Sequence, residues 1–320
     1  MNPFRAWLAI AGVALALPAA SQGWPTKPIK LVVPLAAAGT GDTLARAVGE
    51  GMSKELGQPV VIENRPGAGG LVGTEAVAAA APDGYTLLAV SPSHVINPAL
   101  YKGKATYDAL KSFEPITVMA FTHQVIVAHP SVPVKDLPGL IAYAKLHPGM
   151  LNYGSAGTGS ATHLNMELFK SMAGVDIVHV PYKGSTPARN AALAGQVQLA
   201  MDGLLPLQPF VKDGRLVALA ITSSHRAKSN PDIPTIGESV PGYASDTWYG
   251  IVAPAGTPKD VIAKLNAAAV KALSNPAVRE RLTVLGAEPA GNSAADFRGL
   301  LEREQKLWAH VVETSGAKAE

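Results

Sequence analysis

The chain has 320 residues, of which 48% are hydrophobic and 16% are charged, and its formal net charge at pH 7 is +3. This balance excludes a disordered chain, and because no cluster of Lys or Arg stands out, it also argues against nucleic acid as a partner. Cysteine is absent, so neither disulfides nor thiolate chemistry contribute. At about 150 residues per domain, the length predicts two domains.

The first 21 residues have the pattern of a removable export signal. Arg5 supplies a positive charge, residues 6–17 are apolar, and residues 19–21 are small, as a signal peptidase requires. The apolar run is shorter than the ~20 residues of a membrane span, although a retained anchor is the alternative. We therefore predict a signal peptide over residues 1–21 and a periplasmic location.

The next segment predicts a strand, a loop of small residues and a helix. The strand ends at Pro34, apolar residues recur every four positions from Leu44 to Leu56, and Gly57 ends the helix. Asp42 stands where an N-cap belongs. By capping the helix, it would leave loop N–H groups such as those near Gly39 free for a ligand.

A glycine-rich segment follows the second predicted strand, residues 59–63, and precedes a helix over residues 74–81. Strand, glycines and helix in this order imitate a dinucleotide fingerprint. However, the next strand, residues 85–90, ends at Ser91 instead of at the acid that would hold a ribose. A tight turn is the favoured interpretation, and a nucleotide site is the alternative.

Ser93 and His94 follow that strand and place a hydroxyl beside an imidazole. We interpret them as two loop hydrogen-bond donors to one ligand. Nucleophilic chemistry is the alternative, but it requires an orienting acid as well. Strands over residues 113–118 and 124–129 follow, and the segment between them predicts a crossing into a second domain.

The stretch Leu151–Lys170 predicts the second functional loop. Residues 151–153 form a strand end, residues 154–160 are rich in Gly and Ser, and a helix follows over residues 162–172. A helix start leaves four N–H donors unpaired and carries about half a positive charge, so it attracts carboxylates and phosphates. Two such loops facing each other would form a cleft for an anion.

The rest of the chain continues the alternation of strands and helices. Further strands are predicted over residues 175–180, 197–201, 216–222 and 248–253, and further helices over residues 134–146, 188–194, 260–273, 276–285 and 294–312. This rhythm predicts an α/β fold with mostly parallel sheets. Glu304 belongs to a charged group on the last helix that we interpret as a solvated face.

No motif for a metal, cofactor or nucleophile is present, since the histidines are not spaced as H-x-H or H-E-x-x-H and no G-x-S-x-G elbow occurs. We therefore expect no metal, no cofactor and no enzyme activity. His163 is interpreted as a ligand donor or a helix-start residue, and a hydrolase that pairs it with Ser155 or Thr158 is the alternative. Asp202 either accepts a hydrogen bond from the ligand or caps the next turn. Trp248 is interpreted as a cleft wall, with a place in the core as the alternative.

Several segments resemble the Bug-type periplasmic solute receptors, the binding components of tripartite tricarboxylate transporters. They are WPTKPIKLVVP from Trp24, PVVIENRPGAGG from Pro59, LNYGSAGTGSATHL from Leu151, HVPYKGS from His179 and TWYG from Thr247. The resemblance implies a periplasmic binding protein-like (type II) Venus flytrap, with two α/β lobes around a hinge and a central cleft. It further implies that residues 22–123 plus 244–320 form lobe 1 and that residues 124–243 form lobe 2.

The resemblance also implies which residues bind the ligand. Together with the residues singled out above, the candidates are Leu35, Ala36, Ala38, Gly39, Asp42, Ser93, His94, Ser155, Ala156, Gly157, Thr158, Gly159, Thr162, His163, Tyr182, Asp202 and Trp248. The first loop departs from the Pro-Pro-Gly-Gly that is usual in the family. We expect a monomeric receptor that delivers a small organic anion, a di- or tricarboxylate or an aromatic carboxylate, to membrane transporter subunits. A solute sensor for a signalling partner is the alternative.

Overall fold

The computed structural model describes residues 23–35, 37, 39–315 and 317. The predicted signal peptide, residues 1–21, lies outside the described residues. Within them the chain forms eleven strands in two sheets, together with ten α-helices. No helix in this described part is long and apolar enough to cross a membrane.

The strands have the following bounds: β1 Ile29–Val33, β2 Val60–Asn64, β3 Thr86–Val90, β4 Phe113–Thr122, β5 Gln124–Ala128, β6 Asn152–Ser155, β7 Val178–Pro181, β8 Leu199–Gly203, β9 Val217–Ile221, β10 Thr247–Pro254 and β11 Ala287–Pro289. The helices are α1 Thr40–Leu56, α2 Leu71–Ala78, α3 Ser93–Leu100, α4 Leu137–Leu146, α5 Ala161–Ala173, α6 Ser185–Leu193, α7 Leu204–Lys212, α8 Lys259–Ser274, α9 Pro276–Val284 and α10 Ala294–Ser315. Short 3₁₀ turns cover Ala68–Gly70 and Ile236–Glu238.

Both sheets are mixed. The first has the order β11-β4-β10-β3-β1-β2 and the second β7-β6-β8-β5-β9. β1 is parallel to β2 and β3, and β6 is parallel to β7 and β8, whereas the pairings of β4, β5 and β10 are antiparallel. The expectation of mostly parallel sheets is therefore wrong. The antiparallel pairings arise where a strand arrives from the other sheet, because β10 is inserted between β3 and β4, and β5 between β8 and β9.

The chain crosses between the sheets at β4 and β5. β4 ends at Thr122 and β5 begins at Gln124, so a single residue, His123, separates strands of different sheets. The Nε2 atom of His123 lies 3.0 Å from Oε1 of Glu288 in β11. The chain returns to the first sheet at β10, which begins at Thr247. These crossing strands connect two α/β lobes.

Helices cover both faces of the first sheet. Leu31 of β1 belongs to one buried cluster with Met52 of α1, whereas its neighbour Val32 belongs to another with Phe297 of α10. Successive side chains of a strand point to opposite faces, so β1 is buried on both sides, as parallel strands usually are. Four of its five residues are accordingly apolar, and Lys30 is the exposed exception.

Helix ends follow local signals in several places, but not in all. Gly57 ends α1 in the left-handed conformation, with φ 65°, as predicted. The N-cap of α1, however, is Gly39 and not Asp42, which is the third residue of the helix. No helix was predicted over α7, because its two prolines, Pro206 and Pro209, interrupt the helical pattern.

Glu304 of α10 is not on a solvated face, contrary to the expectation. Its side chain is buried, and Oε2 accepts hydrogen bonds from the indole N–H groups of Trp248 at 3.2 Å and Trp308 at 2.8 Å. Burial raises the pKa of the Glu304 carboxyl group. A carboxyl group that satisfies two buried indoles joins α10 to β10.

Candidate ligand-binding site

A cavity of about 390 Å³ lies between the two lobes, where strand ends and helix starts meet. The first lobe contributes the loop after β1 and one face of α3, the second contributes the loop before α5, and the crossing strands contribute residues at the start of β5 and β10. The lining residues are Leu35, Gly69, Ser91, Pro92, Ser93, Ile96, Asn97, Leu100, Tyr101, Gln124, Thr158, Gly159, Ser160, Ala161, Thr247 and Tyr249. None of these residues is formally charged, so an ionic ligand would be bound by backbone and side-chain dipoles and not by opposite charges. A groove of about 460 Å³ between α5 and α10 lies away from both loops.

The second loop is held in place by its own hydrogen bonds. The N–H of Gly157 donates to Ser155 Oγ at 3.1 Å, and that of Ala156 donates to Thr162 Oγ1 at 2.9 Å. The N–H of Gly159 donates to Nδ1 of His163 at 3.1 Å. These six predicted residues form the loop and its supports. Of them, Gly159 lines the cavity.

Thr158 lies at the tip of this loop and also lines the cavity, together with Ala161 in the first turn of α5. Within the described part of the chain, the backbone N–H groups of these two residues have no protein acceptor. Unpaired N–H groups at a helix start attract negatively charged oxygens. The loop therefore presents hydrogen-bond donors to the cavity.

Two stacked histidines lie beneath the loop. The His163 and His179 rings are 4.0 Å apart, and Tyr153 stacks on His179 at 4.9 Å. Nε2 of His179 lies 2.6 Å from Ser155 Oγ, so the histidine that contacts this serine is not His163. Glu167 accepts from the Tyr153 hydroxyl at 2.6 Å, and no carboxylate hydrogen-bonds to either ring among the described residues. The geometry does not provide the proposed His163–Ser155 pair.

Acidification is expected to destabilise the protein through its buried histidines. Burial lowers the pKa of His94 and of His179 from 6.5 to about 4. The unfolded chain takes up protons below pH ~6.5 and the folded chain only near 4, so the free energy of unfolding falls as the pH decreases across that window. The loss is up to about 3 kcal/mol for fully buried His94 and less for half-buried His179.

Urea unfolding at pH 7 and pH 4.5 measures this loss. Replacing His179 with glutamine should reduce the pH dependence, and the larger contribution of His94 should remain. The same change at exposed His310 should leave the pH dependence as it is. Equal free energies of unfolding at both pH values would contradict the assignment of these buried neutral rings.

The first loop is held by an ion pair. Asp42 is only 2% exposed, and its carboxylate accepts from Arg46 at 3.0 Å and from Asn64 Nδ2 at 2.9 Å. Asn64 Nδ2 also donates to the carbonyl of Leu35, which lines the cavity. Asp42 therefore braces the loop from inside α1, while Gly39 caps the helix. The predicted site residues Ala36 and Ala38 lie outside the described residues.

The side chains of Ser93 and His94 lie in different environments. They begin α3 and are not loop residues. Ser93 lines the cavity, with its Oγ 3.0 Å from Ser91 Oγ. His94 points into the core, where Nε2–H donates to the Ala109 carbonyl at 2.9 Å. Consecutive helical side chains diverge by about 100°, which is why the two residues do not face one ligand.

Trp248 belongs to the core, and its interpretation as a cleft wall is wrong. Its side chain is fully buried beside Phe297. The flanking residues of β10, Thr247 and Tyr249, line the cavity instead. Side chains alternate along a strand, so this pattern was readable from the sequence once the strand was recognised.

Tyr182 and Asp202 also lie outside the cavity lining. The Tyr182 ring packs beside Gly154, where an added Cβ would lie 3.3 Å from Cε2. Asp202 accepts from the N–H of Gly203 at 2.7 Å and from Arg189 at 2.8 Å. This geometry favours the capping role for Asp202, which uses both carboxylate oxygens within the protein.

Sequence reasoning missed most of the residues that α3 and its C-cap residue contribute to the cavity. Ile96, Asn97, Leu100 and Tyr101 follow Ser93 at spacings of three, four, seven and eight. These spacings describe one face of a helix, so the signal was present but required the correct start of α3. No group of three or more His, Cys, Asp or Glu residues in the described chain could hold a metal ion.

Two α/β lobes joined by crossing strands, with a donor-lined cavity between them, define a solute-binding protein of the periplasmic-binding-protein fold. The chain belongs to one family of such proteins, because the family model described as "Tripartite tricarboxylate transporter family receptor" matches residues 44–317. Members of this family and their structural neighbours are solute-binding receptors and not enzymes. The predicted family, fold class and receptor function are confirmed.

Named relatives agree with this assignment. BugT of Bordetella pertussis is 36% identical over 311 residues, which are 97% of this chain and 95% of BugT. Rpa4515 of R. palustris, solved with adipate, is 37% identical with a TM-score of 0.78, and the match covers 92% of this chain and 99% of that one. MatC of Rhodopseudomonas palustris, solved with bound malate, is 35% identical with a TM-score of 0.74. The match covers 90% of this chain and 100% of MatC.

Proposed function

We propose that this receptor closes its two lobes over a small carboxylate, most simply a dicarboxylate, and presents it to the membrane subunits of a tripartite transporter. The observation that carries the proposal is a cavity without formally charged lining residues, in which Thr158 and Ala161 have backbone N–H groups with no acceptor among the described residues. The adipate and malate complexes of two relatives support the same ligand class.

In this proposal, closure of the two lobes over the ligand contributes to the binding affinity. Micromolar binding requires about 8 kcal/mol, and a helix start contributes at most ~2 kcal/mol. The remainder comes from hydrogen bonds to charged groups, each worth about 1.5–3 kcal/mol, which are completed when both lobes contact the ligand. Hydroxyl and amide groups of both lobes line the cavity, Ser93 in lobe 1 and Gln124 in lobe 2 among them, and supply the further donors.

The lobe boundaries and the route to the periplasm belong to the same proposal. Lobe 1 comprises residues 22–123 plus 244–320, and lobe 2 comprises residues 124–243. The separate sheets and the single residue between β4 and β5 support this division. We propose export by the signal at residues 1–21 and action as a monomer.

A thermal-shift screen followed by calorimetry tests the function. The panel contains adipate, malate and benzoate, with adipamide as the uncharged control of equal length. We expect at least one carboxylate to raise the melting temperature and to bind with micromolar affinity, and adipamide to have no effect. Stabilisation by adipamide to the same degree, or by none of the carboxylates, would contradict an anion receptor.

A further inference from the structure

Gln124, at the start of β5, contributes a side-chain amide to the cavity, and the oxygen of this amide accepts a hydrogen bond from the protein. Gln124 is 7% exposed and lines the cavity. Its Oε1 accepts a hydrogen bond from Asn165 Nδ2 at 2.8 Å. Across the described residues, no protein acceptor is found for the Gln124 Nε2 group. A carboxamide carries two N–H donors, and these are the polar atoms of Gln124 that a ligand can reach.

The orientation of this amide is fixed by a chain of buried hydrogen bonds. Asn165 of α5 is 1% exposed, and its Oδ1 lies 2.6 Å from the Ser245 hydroxyl. A distance of 2.6 Å fits a hydroxyl that donates to an oxygen and is short for an amide N–H donor. Asn165 therefore presents its oxygen to Ser245 and its NH₂ to Gln124. This arrangement leaves only the NH₂ of Gln124 for the cavity.

We propose that Gln124 Nε2 recognises a second oxygen group on the ligand, and that it selects bifunctional acids over monocarboxylates of the same length. This inference rests on the proposed carboxylate-binding function. One carboxylate binds the free N–H groups at the start of α5, and the second acceptor binds Gln124. Asn165 is a positioning residue on the same helix, so α5 helps to set both contacts. Thr247 lines the cavity as well and offers a neighbouring hydroxyl.

Calorimetry with adipate and hexanoate tests the proposal, because the two acids differ by one carboxylate. The wild-type protein should prefer adipate. Gln124→Met, which keeps the side-chain length but has no donor, should weaken adipate binding about 10- to 100-fold and leave hexanoate binding unchanged. The same change at exposed Gln196 is the matched control and should alter neither affinity.

Asn165→Asp tests the orientation without removing side-chain atoms. Aspartate only accepts hydrogen bonds, so it can accept from both Ser245 and Gln124, which turns Gln124 Oε1 toward the ligand. Adipate affinity should again fall while circular dichroism remains that of the folded protein. This variant also provides a test if Gln124→Met is unstable.

The outcomes separate this inference from the function on which it rests. If adipate binds the wild-type protein and both variants equally well, the role of Gln124 is refuted and the receptor function stands. Equal wild-type affinity for adipate and hexanoate would refute it as well. If no carboxylate binds the wild-type protein, the proposed function itself fails.

Discussion

Replacing Gly159 with valine is expected to weaken adipate binding at least ~100-fold, the equivalent of about two lost hydrogen bonds to a charged group. Gly159 has φ 77°, and a Cβ there would lie 2.6 Å from Cδ2 of Leu100 on α3 of the opposite lobe. A branched side chain at this position is strained and also holds the lobes apart. The ligand would then contact one lobe at a time. Calorimetry measures the loss.

The control for this variant is valine at Gly214, which has φ 68° and no atom within 4 Å of an added Cβ. It imposes comparable backbone strain without an interlobe contact, so adipate affinity should stay at the wild-type value. Alanine at Gly159 should have an intermediate effect, since the end of the Leu100 side chain can move aside. Wild-type affinity in the Gly159→Val protein would show that this contact is absent from the bound state.

Replacing Glu304 with alanine is expected to lower the free energy of unfolding by about 4 kcal/mol. The change leaves the buried indole N–H groups of Trp248 and Trp308 without their acceptor, and each unpaired buried donor costs about 1–3 kcal/mol. The space left by the side chain adds to the loss. Native stability is typically about 5–15 kcal/mol, so this is a large fraction of it.

Urea denaturation measures the effect, and Glu302→Ala is the matched control. Glu302 is exposed on the same helix, so its replacement should change stability by about 0.5 kcal/mol or less. Glu304→Gln keeps an acceptor oxygen and should be milder than alanine. Similar losses at positions 302 and 304 would disprove the role given to the buried carboxyl group.

The candidate site was predictable in its backbone and much less so in its side chains. The glycine- and serine-rich segment before α5 led to Thr158 and Gly159 as candidate site residues, because a loop followed by a helix start is a local pattern, and both residues line the cavity. His94 and Trp248 were placed on the ligand side and lie in the core. Gln124 was not predicted as a site residue, since nothing in its neighbouring sequence indicates a place in the cavity.

The partners of the buried carboxyl groups could not be predicted either, because they are distant in sequence. Asp42 is separated from its partner Asn64 by 22 residues, and Glu304 from Trp248 by 56. Neither distance corresponds to a helical or strand period, so no periodic pattern reveals the pair. Glu304 was therefore mistaken for a solvent-facing charge.

By itself, the sequence determined the alternation of strands and helices, the two small-residue loops that precede helices, and the family. These features arise from backbone hydrogen bonding and hydrophobic periodicity within a few residues. Only the tertiary structure decided the direction of the crossing strands, the approach of Leu100 to Gly159 and the orientation of the Gln124 amide. Each of these depends on which distant segments pack together, because a side chain's environment is set by neighbours in space and not by neighbours along the chain.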